Sequence, residues 1–203
     1  MEISTIEVGT LQTNCYVVSQ NGVAFIVDPG AEAQAVKEYC DGHSLTVEAI
    51  LLTHGHYDHS GAVKELQSLT GAKIYATKDC NLLANSMKSL AFAFGATVNK
   101  FTTDVIIEDG DNITIGDMKV AVLSTPGHTQ GGVCYIVEDC IFSGDTLFRT
   151  SYGRTDLPTG DAKILEKSIK KLFALDGEYK VYPGHGASTT LDTERKHNII
   201  NFQ

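Results

Sequence analysis

Short runs of β-branched and aromatic residues alternate along the chain with segments whose apolar positions recur at helical spacing. "EISTIEV", "NCYVVSQ" and "VAFIVD" are separated by Asn, Gly and Pro signals, which predicts three successive strands of a meander. Asn21 and Gly22 supply the dipeptide of a tight hairpin turn. "AEAQAVKEYC" then has helical spacing, "VEAILLT" reads as a strand, and "DHSGAVKELQSLTG" reads as one helix closed by Gly71.

After the strand "KIYAT", the segment from Lys78 to about Phe101 mixes apolar and small residues without a single clear face. It predicts one or two short helices serving as a lid or substrate wall. Strand patterns return in "VIIEDGDNITIGDMKVAVLSTPG" and "GVCYIVEDCIFSGD", followed by the helix "DAKILEKSIKKLFALDG", the strand "YKVYPG" and a helix from about Leu191. The second half thus repeats the order of the first, with no Pro- or Ser-rich linker between them. This pattern predicts an α/β fold, a single domain over 1–203 in which two mixed sheets pack face to face as a four-layer αββα sandwich flanked by helices.

Composition narrows the partners more than the fold. A chain of 203 residues can remove about 70 % of its unfolded surface from water. Sixteen basic against 25 acidic residues give a formal charge of −9, which repels phosphate backbones, so nucleic acid is not an expected partner. The start "MEISTIEVGT" lacks a basic and then apolar leader, and no apolar run approaches the roughly 20 residues of a membrane helix. No membrane partner and a cytoplasmic location are expected. Cys15, Cys40, Cys80, Cys134 and Cys140 lie singly, without CxxC spacing, as buried thiols in a reducing compartment would.

Chemistry concentrates where apolar runs end in Gly- or Pro-rich turns. "LLTHGHYDH" holds His54, His56, Asp58 and His59, "LSTPGHTQGG" holds His128, and "VYPGHGAST" holds His185. "IFSGDTLF" ends the same way in Asp145. A strand end feeding a loop holds donors rigidly while leaving them accessible. His54 and His56, two apart, can face one point, and Gly55 keeps that turn small. One catalytic zinc needs three protein ligands and a water, whereas seven donors suffice for two metals sharing a hydroxide. Singly, each group could cap a helix or satisfy a turn, Asp58 as an N-cap before "SGAVKEL". Together they point to metal. His43 and His197 lie outside such turns and read as surface residues.

These residues resemble the metallo-β-lactamase superfamily. "HGHYDH" matches its HxHxDH motif, His128, Asp145 and His185 follow in the order of its remaining ligand positions, and "TNCYVV" and "VDPG" extend the likeness over nearly the whole chain. The resemblance implies that superfamily's αββα fold. It also implies a first metal on His54, His56 and His128, a second on Asp58, His59 and His185, and Asp145 bridging them. Asp58 and Asp145 would be the catalytic carboxylates, and Asp28 would orient an imidazole from behind. Two divalent ions are implied, zinc first, with iron or manganese also acceptable to such ligands. Zinc β-lactamases place a cysteine at the position of Asp145 and a third histidine at that of Asp58, so antibiotic hydrolysis is not the expected main role.

"SGDTLFRTSYGRTDLPTGD" is similar to the glyoxalase II (hydroxyacylglutathione hydrolase) group in its short bacterial form. Arg154 matches a basic residue that contacts the glutathione carboxylate there, and its planar guanidinium suits that task. "GHGA" departs from the group's Gly-His-Glu-Tyr, Asp156 stands where longer members have a tyrosine, and the chain ends before their C-terminal substrate residues. "ERKHN", with Arg195 and Lys196, reads as a charged surface helix. The implied reaction is attack of a metal-bridging hydroxide on a small-molecule thioester, with a thiolate as leaving group. Persulfide dioxygenases are similar through "GRTD" at 153–156 and would use one iron on His54, His128 and Asp145. Lactone hydrolysis and RNA cleavage rank lower, the latter because of the acidic charge.

Overall fold

The structure is a computed structural model that describes residues 1–98 and 100–202. Strands β1 (Glu2–Val8), β2 (Thr13–Gln20), β3 (Val23–Val27), β4 (Thr46–Leu51), β5 (Lys73–Ala76) and β6 (Val105–Ile106) form the first sheet in chain order. The pairs from β1 to β3 are antiparallel and those from β3 to β6 parallel. β7 (Asn112–Ile115), β8 (Met118–Ser124), β9 (Val133–Val137) and β10 (Cys140–Gly144) form an antiparallel meander. A two-strand hairpin, β11 (Leu147–Phe148) and β12 (Ser151–Tyr152), stands apart. β13 (Lys180–Pro183) then joins β10 in parallel, and β14 (Thr189–Thr190) closes the second sheet, whose spatial order is β14-β13-β10-β9-β8-β7.

Helices α1 (Ala33–Gly42) and α3 (Val63–Thr70) cover the outer face of the first sheet, while α5 (Ala162–Phe173) and α6 (Leu191–His197) cover that of the second. Period-two alternation sorts the strand residues between layers. In β2, Cys15 and Val17 face the helices whereas Tyr16 and Val18 enter the core between the sheets; Ile26 and Phe25 in β3 divide the same way. A strand buried on both faces reads as an uninterrupted apolar run, which is why these segments look continuous in sequence. The expected αββα sandwich of two mixed sheets is therefore what forms. All five cysteines are buried and unpaired, and burial pushes the Cys15 and Cys80 thiols well up, away from reactivity.

Two local expectations change. The single helix expected from Asp58 to Gly71 is two, α2 (Tyr57–Ser60) and α3, broken at Gly61 and Ala62. There the Ala62 N–H donates to the Pro29 carbonyl at 3.1 Å, and a Cβ on Gly61 would lie 2.6 Å from the Gly30 carbonyl oxygen. The chain must kink to pack on the "DPG" loop. The segment from Lys78 becomes α4 (Lys78–Ala84), capped by the Thr77 hydroxyl, and two 3-10 turns at Met87–Ser89 and Ala91–Phe94. Asn85 fixes its far end, donating to the Phe101 carbonyl at 3.0 Å and accepting from the Phe101 N–H at 2.9 Å.

The repeat between halves holds for one unit: a meander, then a helix crossing to a parallel strand, through α1 to β4 and through α5 to β13. Its consequence is directional. Asp28 follows β3, the Thr53–His59 loop follows β4, and His128, Asp145 and His185 follow β8, β10 and β13. All five lie beyond C-terminal strand ends, where open α/β sheets bind ligands.

Candidate metal centre

The loop after β4 is shaped by residues around it. Asp28, in the left-handed region at φ 52°, accepts the Thr53 N–H at 2.7 Å and the Thr53 hydroxyl at 2.5 Å. Thr53 in turn needs Gly144 to be small, because a Cβ there would sit 2.2 Å from its hydroxyl oxygen. Gly55 is required for a reason the motif does not reveal: a Cβ would meet the Cys80 carbonyl oxygen of α4 at 2.5 Å. The loop is thus clamped against α4 as well as turned tightly.

Three donor clusters result, each with its ligand atoms within 4.8 Å of one another: His54, His56 and His128; Asp58, His59 and His185; and Asp28 with His54 and His59. In the first, His56 Nδ1 lies 3.0 Å from His128 Nε2. In the second, His59 Nε2 lies 3.3 Å from His185 Nε2 and 3.6 Å from Asp58 Oδ2, which is 3.3 Å from His185 Nε2. Asp145 stands between them, with Oδ1 3.4 Å from His59 Nε2 and Oδ2 3.5 Å from His128 Nε2 and 3.7 Å from His185 Nε2. The sequence-derived donors are all brought together, and Asp145 touches both clusters.

The outer nitrogens fix what the inner ones offer. His128 Nδ1 donates to the Arg154 carbonyl at 2.7 Å, His185 Nδ1 to the Leu11 carbonyl at 3.1 Å and His59 Nδ1 to Asp28 Oδ2 at 2.9 Å. His54 Nδ1 lies 3.1 Å from the Thr53 hydroxyl oxygen, whose own proton goes to Asp28. With Nδ1 donating, a neutral ring presents its Nε2 lone pair inward; His59 does so only once it gives up the proton that its neighbouring carboxylates hold. The interior therefore gathers ring nitrogens and carboxylate oxygens at close range, and the buried His54 Nε2 and Asp145 Oδ1 atoms among them have no hydrogen-bond partner among the described residues. Buried acceptors without donors are costly unless a cation satisfies them. Nitrogens around a tetrahedral ion at about 2.0–2.1 Å would be about 3.3 Å apart, close to the spacings within both clusters. The His and Asp clusters fit a dinuclear metal site.

Charge separates the clusters. Burial, reinforced by neighbouring imidazoles, depresses His54 well below the ordinary range and brings His56 to about 4. Burial also opposes a charged His59, yet Asp145, Asp58 and Asp28 raise it to about 10. His185 is likewise raised against its burial, by Asp58 and Asp145. Burial pushes the Asp58 carboxyl up, but His59 and His185 hold it below the usual range. At pH 7 the metal-free protein thus keeps His54 and His56 neutral and His59 protonated. Since a ligating imidazole must be neutral, filling the first cluster should release no proton from His54 or His56, whereas filling the second should expel the His59 proton. Calorimetric metal titrations in buffers of different ionisation enthalpy check this: proton release from His59 is expected with the equivalent that fills the second cluster and should shrink as the pH rises toward 10.

Residues 8–185 match the family model of the Metallo-beta-lactamase superfamily. The chain belongs to this superfamily. It is 36 % identical over 203 residues to the probable metallo-hydrolase YqgX of Bacillus subtilis, covering 98 % of this chain and 96 % of that one. With the hydroxyacylglutathione hydrolase GloC of Haemophilus influenzae it shares 33 % over 205 residues, covering 98 % and 97 %. Among solved structures, the BLEG-1 B3 metallo-beta-lactamase aligns with a TM-score of 0.92 at 35 % identity, covering 97 % of this chain and 98 % of that one. TTHA1623 in a di-iron-bound form gives 0.87 at 36 %, covering 96 % and 98 %. ETHE1 from Myxococcus xanthus gives 0.81 at 28 %, covering 98 % and 83 %.

Other singled-out residues fall outside the superfamily donor set. The carboxylate contact expected of Arg154 meets an occupied fork: Nε and Nη2 donate to both Asp156 oxygens at 2.7 and 2.6 Å, and the residue's firmest link to the centre is its carbonyl on His128. Arg195 donates to the Phe173, Leu175 and Gly177 carbonyls, capping the end of α5, and Lys196 pairs with Asp192 at the surface, whereas Glu194 and Asn198 of "ERKHN" are fully buried and hydrogen-bonded to each other. His43 stacks on Tyr39 at the surface, and His197 is exposed. Thr53, Asn14 and Tyr16 are the supporting residues that the motif did not single out. Asn14 Nδ2 donates to the Pro183 and Gly186 carbonyls at 2.9 Å each, and the Tyr16 hydroxyl donates to Pro183 at 2.6 Å. "TNCYVV" is thus the strap that holds the His185 turn. No helix among the described residues is long and apolar enough to cross a membrane.

Proposed function

We propose that the protein is a dinuclear metal-dependent hydrolase that cleaves small-molecule thioesters, with S-lactoylglutathione as the reference substrate. The observation that carries this reading is Asp145, whose two oxygens face different clusters at 3.4 and 3.5 Å. His54, His56 and His128 would hold one ion, Asp58, His59 and His185 the other, and Asp145 both. Divalent ions bound there, zinc first, with iron or manganese acceptable, would supply a water-derived nucleophile at neutral pH and charge stabilisation for the developing oxyanion. Asp28 aligns His59 directly and His54 through Thr53, so one carboxylate sets the geometry of both clusters.

A cleft of about 760 Å³ opens onto His56, Asp58, His128, Asp145 and His185. Apart from these donors the titratable side chains among its described lining residues are Tyr152 and Arg154, with no further carboxylic acid among them to protonate a leaving group. A thiolate needs no such acid, whereas an amine does. That favours a thioester over an amide, in keeping with the likeness to GloC. The test is metal analysis of freshly purified protein followed by assays on S-lactoylglutathione, other thioesters, a lactone and, given the BLEG-1 likeness, a β-lactam. Thioester turnover that disappears on chelation and returns with metal is expected; metal-loaded protein inactive on every thioester would end the assignment. The second reading, a mono-iron persulfide dioxygenase on His54, His128 and Asp145, predicts one iron per chain and oxygen uptake with glutathione persulfide. The complete second cluster favours the hydrolase.

A further inference from the structure

The cleft's walls differ in chemistry from its floor. Phe148, Tyr152 and Leu157 rise on the side of the β11–β12 hairpin and the loop after it, Leu90 and Phe94 on the side of the 3-10 turns, and Leu11 at the turn after β1. Phe148 stands beside His185, with ring centroids 6.4 Å apart, and Phe94 is braced by Tyr57 at 5.9 Å. Leu90 occupies the left-handed region at φ 69°, a conformation that favours glycine, and yet its side chain lines the cleft.

Charge is as informative as apolarity. Among the described lining residues Arg154 is the one Lys or Arg, and Asp156 holds its fork at two points. The pair is exposed and so is weak in water, yet a substrate carboxylate must still compete for the fork with an acid two residues away. Arg195 is spent on carbonyls at the end of α5, and Lys88 lines a different pocket. Among the described residues the walls therefore offer broad contact area to an apolar group, and to an anionic one a single, already paired cation at the exposed rim.

We infer that the cleft takes acyl compounds whose body is apolar and uncharged, so that a medium-chain or aromatic acyl thioester is preferred to S-lactoylglutathione. This rests on the hydrolase reading and narrows its substrate class. In the reaction, oxygen from water bonds to the acyl carbon, the C–S bond breaks with its electrons on sulfur, and the products are a free thiol and a carboxylate with release of one proton. Each methylene buried against these walls should contribute roughly four-fold to binding.

The test compares lactoyl, hexanoyl and benzoyl thioesters of glutathione on the metal-loaded enzyme, then the hexanoyl thioester of the uncharged thiol N-acetylcysteamine. Hexanoyl should exceed lactoyl by at least about ten-fold in kcat/KM, and the uncharged thiol should serve at least as well as glutathione. Phe94→Ser and Leu157→Ser should each raise KM for the hexanoyl substrate and cut its advantage at least about five-fold, with bound metal unchanged. A preference for S-lactoylglutathione, or an advantage that survives both substitutions, would overturn the inference. If no thioester is hydrolysed, the hydrolase reading fails by itself. Calorimetric binding of the hexanoyl and lactoyl thioesters to metal-free protein then still decides the preference, and equal affinities would count against it.

Discussion

Asp145→Ala is expected to lower turnover by at least about 10³-fold and to leave no more than one tightly held ion per chain. The substitution removes a carboxylate that approaches the inward Nε2 atoms of both clusters, with 3.4 Å to His59, 3.5 Å to His128 and 3.7 Å to His185. It also removes the first of the carboxylates that raise His59 against its burial. The variant should therefore release less proton on metal binding at pH 7, a readout separate from rate. Asp145→Asn keeps the volume and one oxygen but loses the charge, and should fall nearly as far. Metal content measured alongside kcat/KM for both variants checks this. Two retained ions with near-normal turnover in Asp145→Ala would show that the bridge lies elsewhere.

Gly184→Ala is the second large effect, at about 10²-fold or more in turnover. Its backbone conformation is not the obstacle; space is. An added Cβ would lie 2.2 Å from Asp145 Oδ1 and 2.6 Å from His59 Cε1. Neither neighbour can retreat easily. His59 is held by Asp28 at 2.9 Å, and the Asp145 carbonyl already lies so near Gly153 that a Cβ there would come within 1.8 Å of it. The donors must shift by a sizeable fraction of an ångström, and misplacement on that scale is what catalytic geometry does not tolerate. Faster loss of metal to a chelator is expected, with the helical signal of the metal-free protein retained. Unaltered metal retention would mean that the wall behind the centre is softer than its contacts indicate.

The donor residues were legible because each combines a ligand-type side chain with a strand-ending turn, and both features are local. The layers were legible for the same reason, since strands buried on two faces announce themselves as unbroken apolar runs. What stayed hidden depends on residues distant in sequence. The break at Gly61 is set by the Pro29 and Gly30 carbonyls, against a helical periodicity that runs on through it. Asn14 reaches Pro183 across 169 positions, and nothing near either marks the contact. Arg154 shows a different limit: a matching position in a motif suggested a substrate contact, and its pairing with Asp156 two residues on, at the exposed rim of the cleft, was not marked by that motif. Thr53 could have been noticed, as a hydroxyl placed between a strand and the first donor.

Anomalous scattering from crystals of the freshly purified, metal-analysed protein tests the dinuclear centre most directly. Two ions are expected about 3.5–4 Å apart, one among His54, His56 and His128, the other among Asp58, His59 and His185, with Asp145 on both. A single ion held by His54, His128 and Asp145, with Asp58, His59 and His185 unligated, would contradict it.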